Sequence, residues 1–169
     1  MRRFVFGAAL AAGFMGAGAA LAQDTAAETG ALVERITGDE LAAILTEIGW
    51  TATAKLVDDK PFVSVGFIDA ESGAAYDFTV GLYRCDDAKA CVDIMFMRSS
   101  EPSRPVTLMM VNKYNASQMF GVAYLNDDGS LGVSMTQTIQ GGVTRQNIKE
   151  MADLWKTVIV AFDAKVTGG

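Results

Sequence analysis

Cys85 and Cys91 are the only thiols in a chain of 169 residues, and the chain holds no histidine. Without His there is no Ser-His-Asp or Cys-His relay and no imidazole ligand for a metal. Two cysteines this close read as a disulfide in an oxidising compartment. The alternatives are two free thiols or half of a metal site, although the gap is wider than zinc-binding pairs use. Once oxidised, the pair offers no thiolate nucleophile. Closing so short a loop stabilises by roughly 2 kcal/mol on a chain-entropy view. Carboxylates are the remaining reactive groups. Asp86-Asp87 and Asp127-Asp128 are paired acids, a pattern suited to acid–base work. Both pairs fall in turn-like runs, where Asp accepts from local amides. Asn126-Asp127-Asp128-Gly129 suggests calcium, but the closing Glu of a calcium loop is missing. Gly141-Gly142 lacks the Lys-Ser/Thr continuation of a phosphate loop. Asn115-Ala116-Ser117 fits the glycosylation sequon but points to no chemistry of the chain's own. No catalytic, cofactor or metal site is expected, and an enzyme would have to work through carboxylates alone.

Methionine is the richer signal. Met95, Met97, Met109, Met110, Met119, Met135 and Met151 lie beyond the first twenty-two residues. Thioethers fill irregular gaps between sheet and helix, and that is the leading reading. Met95 and Met97 share one strand face, opposite Ile94 and Phe96. With Met109 and Met110 they are candidates for a partner-binding surface that takes an apolar peptide. Copper(I) ligation is a third reading, since exported copper proteins use soft sulfur.

These residues need elements to position them. Thr37-Gly38-Asp39-Glu40 has the form of a capping box, and Leu41, Ile44, Leu45 and Ile48 follow at helical spacing until Gly49. Residues 52–57 and 62–68 flank Asp58-Asp59-Lys60-Pro61 and read as a hairpin. Tyr76, Phe78, Val80 and Leu82 alternate with Asp77, Thr79, Gly81 and Tyr83. Val92, Ile94 and Phe96 begin the next strand, so a Cys85–Cys91 bridge would staple a hairpin tip. Pro102 and Pro105 break the sheet pattern, and Val106–Tyr114 reads as a second short helix. Phe120, Val122 and Tyr124, then Leu131, Val133, Met135 and Ile139, form two strands around a turn at Asn126–Gly129. Thr144 caps a long last helix whose apolar stripe runs from Ile148 to Phe162. Trp50 and Trp155 border helical stripes and belong to the core or its edge, while Tyr83 and Tyr114 are candidates for an exposed patch. The order α-β-β-β-β-α-β-β-α predicts an α+β domain: an antiparallel sheet of about six strands with helices on one face.

The chain opens Met1-Arg2-Arg3 and then carries no charge from Phe4 to Ala22. Small residues at Ala20 and Ala22 precede Gln23, the layout of a secretory signal peptide over residues 1–22 cleaved after Ala22. A retained anchor is the rival reading, but a run dominated by Gly and Ala partitions weakly into lipid. No Cys follows the run to carry a lipid. Residues 23–35 read as a flexible mature N-terminus and residues 36–165 as one domain. The expected location is the periplasm or the medium, with no stable membrane anchor after cleavage. Removing residues 1–22 takes two arginines and no acid, leaving 14 − 2 = 12 basic against 20 acidic side chains, a net charge of −8. Such a surface repels phosphate backbones and anionic lipid, so nucleic acid is not an expected partner.

Asn112, the run Phe120–Gly129 and Leu131-Gly132-Val133 form one recognisable stretch. Gly141-Gly142-Val143-Thr144, Asn147-Ile148, Trp155 and Phe162 form another, and the helix ending in Gly49-Trp50 agrees more loosely. In order and spacing, over about residues 37–164, these resemble the YbjN domain, a bacterial family named for sensory transduction regulation. The resemblance implies an α+β fold like that of type III secretion chaperones. It carries no established catalytic residues. The leader and the cysteine pair depart from the family's cytoplasmic members, and an exported member cannot touch the transcription machinery directly. The expected function is non-enzymatic binding of a protein or peptide, chaperone-like in kind. The alternative is a small-ligand sensor with an apolar pocket between sheet and helices.

Overall fold

The computed structural model describes residues 30–103 and 105–167. The expected signal peptide, its cleavage point after Ala22 and residues 23–29 lie outside the described residues. In chain order the elements are β1 (Leu32–Val33), α1 (Gly38–Glu47), β2 (Thr51–Val57), β3 (Lys60–Ile68), β4 (Ala75–Cys85) and β5 (Cys91–Ser100). They are followed by α2 (Leu108–Ser117), β6 (Val122–Leu125), β7 (Leu131–Thr138), β8 (Val143–Thr144) and α3 (Arg145–Phe162), which ends in a π turn over Asp163–Thr167.

Six strands form one antiparallel sheet in the order β2-β3-β4-β5-β7-β6. The period of two in the sequence becomes two distinct faces. Val63, Val80, Phe96 and Met135 stand side by side in one row across β3, β4, β5 and β7, and all four are buried. One residue along, the row reads Ser64, Thr79, Met97, Ser134 and Val122; its first four members are half-buried and Val122 is exposed. The last helix meets the sheet on its buried face. Trp155 on α3 lies 5.7 Å from the Phe78 ring and 5.8 Å from Phe96. Trp50, just past α1, stacks on Phe67 at 5.0 Å and meets Phe78 edge-on at 5.7 Å. Aromatic pairs at these separations add to the transfer energy of burial.

The expected capping box at Thr37 is formed, and the head of α3 carries a second. The Thr37 hydroxyl accepts from the Glu40 amide while Glu40 takes the Thr37 amide. Thr144 and Asn147 exchange the same two bonds at the head of α3.

Several expectations need correcting. Order begins before Ile36, within the stretch 23–35 read as flexible: Leu32–Val33 pairs with Val143–Thr144 as a second, two-stranded sheet. Two residues carry too little pattern to be seen as a strand. The second helix starts at Leu108 instead of Val106, because Thr107 is the first side chain after Pro105 able to cap it, and it accepts from Met110 N–H. The turn between β2 and β3 is only Asp58-Asp59, both in the left-handed region (φ 49° and 64°), and Lys60-Pro61 belongs to the strand. Tyr114 is buried, not part of an exposed patch; its ring packs on Phe162 at 5.7 Å, and burial pushes its pKa up to about 12. Methionine is mostly not core. Met135 alone is buried, Met95, Met97, Met110 and Met151 are half-buried, and Met109 and Met119 are 77 % and 88 % exposed. Leu, Ile, Val and the aromatic rings already fill the interior, and strand parity turns Met95 and Met97 away from it.

Candidate functional site

The tip of the β2–β3 hairpin carries exposed apolar side chains beside two hollows. A two-residue turn with both central residues at positive φ closes on a hydrogen-bonded pair, here Val57 and Lys60. Hydrogen-bonded pairs recur every second residue. Thr51, Thr53, Lys55 and Val57 therefore turn their amides to β3, and Ala52, Ala54 and Leu56 turn theirs outward. The far end of β3 gives the same phase: the Asp69 amide donates to Ala74 O at 2.8 Å, which commits Val63, Val65 and Phe67 to β4 and leaves Ser64 and Gly66 to β2.

Hollows flank the end of β2 on both sides. On the open face a depression of about 400 Å³ is lined by Val57, Phe62, Tyr83 and Met97, with Asp58 and Lys60 at its rim. Its floor is Gly81: a Cβ there would come within 2.9 Å of Met97 Cε and of the Tyr83 ring, so those side chains fold across the glycine. On the other side, where α1 begins, a hollow of about 390 Å³ is lined by Gly38, Ala54, Leu56, Pro61 and Ala88, with Asp39, Lys55 and Lys89 among its charged residues. Leu56 and Val57 are 60 % and 55 % exposed.

Cys85 and Cys91 are joined as a disulfide across β4 and β5, stapling the hairpin tip. Asp86 N–H donates to Ala90 O at 3.1 Å, and Asp86 Oδ1 accepts from Ala90 N–H at 3.0 Å. Asp128 Oδ1 likewise accepts from Ser130 N–H and its hydroxyl, and these bonds hold its carboxyl below the usual range. One acid of each pair thus shapes a turn. Beside the disulfide, Arg84 (φ 52°) grips both carboxylate oxygens of Asp93 and donates to Gln140 Oε1 at 2.9 Å. The Arg84 guanidinium holds Asp93 below its ordinary pKa. The incoming chain docks here too: Ile36 and Cys91 exchange backbone hydrogen bonds of 2.9 Å, and Arg35 donates to Ala90 O at 3.0 Å.

The other charges serve packing. Asp69, 5 % exposed, accepts from the Ser72 amide and hydroxyl and from Lys156 Nζ at 3.0 Å, which lowers its pKa to about 2. Glu47 is held down by Lys149 and Arg145 at the head of α3. Arg98 meets Asp163 at 2.6 Å and lies 5.4 Å from the Tyr76 ring centre. Among the described residues no three Cys, Asp or Glu side chains converge as metal ligands.

The four methionines proposed from sequence do not share a surface. Met95 and Met97 stand on the open face of β5, and Met97 lines the hollow there. Met109 and Met110 sit on the first turn of α2, whose buried side chains Val111 and Tyr114 join the core. Met110 borders a separate hollow of about 380 Å³ with Lys113, Tyr114, Ser117 and Lys165. Sequence reading missed Asn115, whose side chain takes both the amide (2.8 Å) and the carbonyl (3.0 Å) of Ala123 on β6. No local pattern signals that pairing, because the partners are eight residues apart across a loop.

The structure thus defines an α+β domain built on a six-stranded antiparallel sheet, with apolar side chains exposed at the β2–β3 tip and around α2 and β6. The chain belongs to the YbjN family, described as "Putative bacterial sensory transduction regulator", which matches residues 37–167. That description is of a regulator, not an enzyme. A search of curated proteins returns no match.

Proposed function

We propose that this domain is a non-enzymatic binding module of the periplasm that holds a protein or peptide partner. The observation that carries the reading is the hairpin tip, where Leu56, Val57, Phe62, Tyr83 and Met97 surround hollows on both faces of one strand. A contiguous exposed apolar patch is a mark of a contact surface. The family description as a regulator fits a protein that acts by contact. Export is supported by the leader-like residues 1–22 and by a cysteine pair joined as oxidising compartments allow.

Crosslinking in intact cells followed by purification tests the reading. One stoichiometric partner, lost when Tyr83 and Met97 are both changed to Asp, is the expected result. Recovery of the domain alone would refute it. N-terminal sequencing should find Gln23 first, and a retained Met1 would refute export. The hollow beside Met110 and Tyr114 supports a second reading, a sensor for a small ligand with an apolar body. A melting gain with such a metabolite and no protein partner would favour it.

A further inference from the structure

We propose that the Cys85–Cys91 disulfide is a redox-sensitive latch on the partner surface: oxidised, it builds one of the two hollows at the β2–β3 tip, and a dithiol that reduces it takes that hollow apart. This rests on the binding reading above and states how the contact is regulated.

The hollow beside Leu56 has three walls. Leu56 and Pro61 come from the hairpin, Gly38 and Asp39 from the start of α1, and Ala88 and Lys89 from the loop that the disulfide closes. That loop is the common support of the other two. On one side Lys89 pairs with Asp59 in the hairpin turn. On the other, Cys91 exchanges two backbone bonds with Ile36, one residue before the Thr37 cap of α1, and the Arg35 guanidinium reaches Ala90 O and Asp86. Ile36 and Cys91 are both fully buried.

A bridge that serves stability alone gains most by closing a long loop. This one spans a sequence separation of 6, between strands that Thr79–Tyr83 and Asp93–Met97 already pair. Its effect therefore falls on the loop and on what the loop holds. The two sulfurs also differ in access, since Cys85 is half-buried and Cys91 fully buried. A thiolate of the dithiol thus attacks Cys85 Sγ, the S–S bond breaks, and Cys91 leaves as a thiolate while a mixed disulfide forms. Cys91 takes up a proton from solvent, and Lys89 O, 3.2 Å from its Sγ, is placed to accept a hydrogen bond from the new thiol. The second thiolate of the dithiol then attacks the dithiol sulfur in the mixed disulfide and releases Cys85, which is protonated in turn. Two electrons pass to the protein, and the dithiol ends as a disulfide. With the bridge open, the loop is free to leave Asp59 and Ile36, and the hollow loses its third wall.

Dithiothreitol, a small dithiol, is the probe, applied to the folded wild-type protein without denaturant. Mass spectrometry should show the bridge reduced. Amide exchange by NMR should then speed up by about tenfold or more at Ile36, Lys89 and Cys91, while Phe78 and Phe96 keep their protection. Trypsin should cut after Arg35 about tenfold faster or more in the reduced form, and reoxidation should reverse both changes. A bridge that resists the dithiol in the folded protein overturns the latch. So does unchanged exchange at Ile36 and Cys91, or an equal loss of protection at Phe96. In intact cells, Cys85→Ser/Cys91→Ala should return about fivefold less crosslinked partner than wild type, or lower still. Equal recovery overturns the regulation and leaves the binding reading standing. A wild type without any partner refutes the binding reading instead, and the exchange pattern still decides the latch. Should the double variant misfold, the reduced and reoxidised wild type decide alone.

Discussion

Replacing Cys85 with serine tests how far the disulfide loop supports the rest of the fold. The bridge closes a loop with a sequence separation of 6. Chain entropy alone then assigns it roughly 2 kcal/mol. The loop does more than close itself, since Ile36 exchanges two backbone bonds with Cys91 and Arg35 reaches Ala90 O and Asp86. Freeing the tip should therefore loosen the incoming chain while the sheet persists, because β4 and β5 remain paired from Thr79 to Asp93. Urea unfolding at neutral pH should show a loss of about 2 kcal/mol, and a domain of this size should melt roughly 5–10 °C lower. Hydrogen exchange should locate the change, with the amides of Ile36 and Cys91 losing protection and those of Phe78 and Phe96 keeping it. The companion Cys85→Ser/Cys91→Ala variant should behave alike, which removes thiol crosslinking as a cause. A variant unfolded at ambient temperature would refute the reasoning, and so would one as stable as wild type with Ile36 still protected.

Three further outcomes follow from particular contacts. Trp155→Ala removes a fully buried ring between Phe78 and Phe96 and should cost roughly 3–5 kcal/mol in chemical denaturation. Asn115→Ala strips two bonds from the buried Ala123 backbone; a loss of roughly 1–3 kcal/mol is expected, with self-association in sedimentation at high concentration. Asp69 has its folded pKa lowered to about 2 from 3.8, so its stabilising contribution is complete above the upper value and disappears as pH falls towards the lower. In Asp69→Asn, acid titration of stability should be flatter between those two values, and an unchanged slope would refute the assignment.

The fold was largely legible because strand parity and helix caps are local. Val63, Val80 and Phe96 alternate visibly with Ser64, Thr79 and Met97, and Thr37 and Thr144 announce the helices they cap. What stayed hidden depends on distant partners. Leu32–Val33 is a strand only because Val143–Thr144 lies beside it. The methionines show the limit of composition: a thioether suits an interior, yet parity alone decides that Met95 and Met97 face outward. The candidate site was legible in part. Met97 could be placed on an outward face, but Val57, Phe62 and Tyr83 join it only once the hairpin is folded. Which strands end at an edge is a matter of sheet order, which alternation does not encode.

The carboxamide of Asn115 gives the sheet a stop at one end and none at the other. A molecule that can be extended in a single direction yields finite complexes, since each addition consumes the only growing end. Two bare rims would instead permit unbounded stacking of one copy on the next. The Asn115 side chain satisfies the Ala123 backbone and so closes one of them.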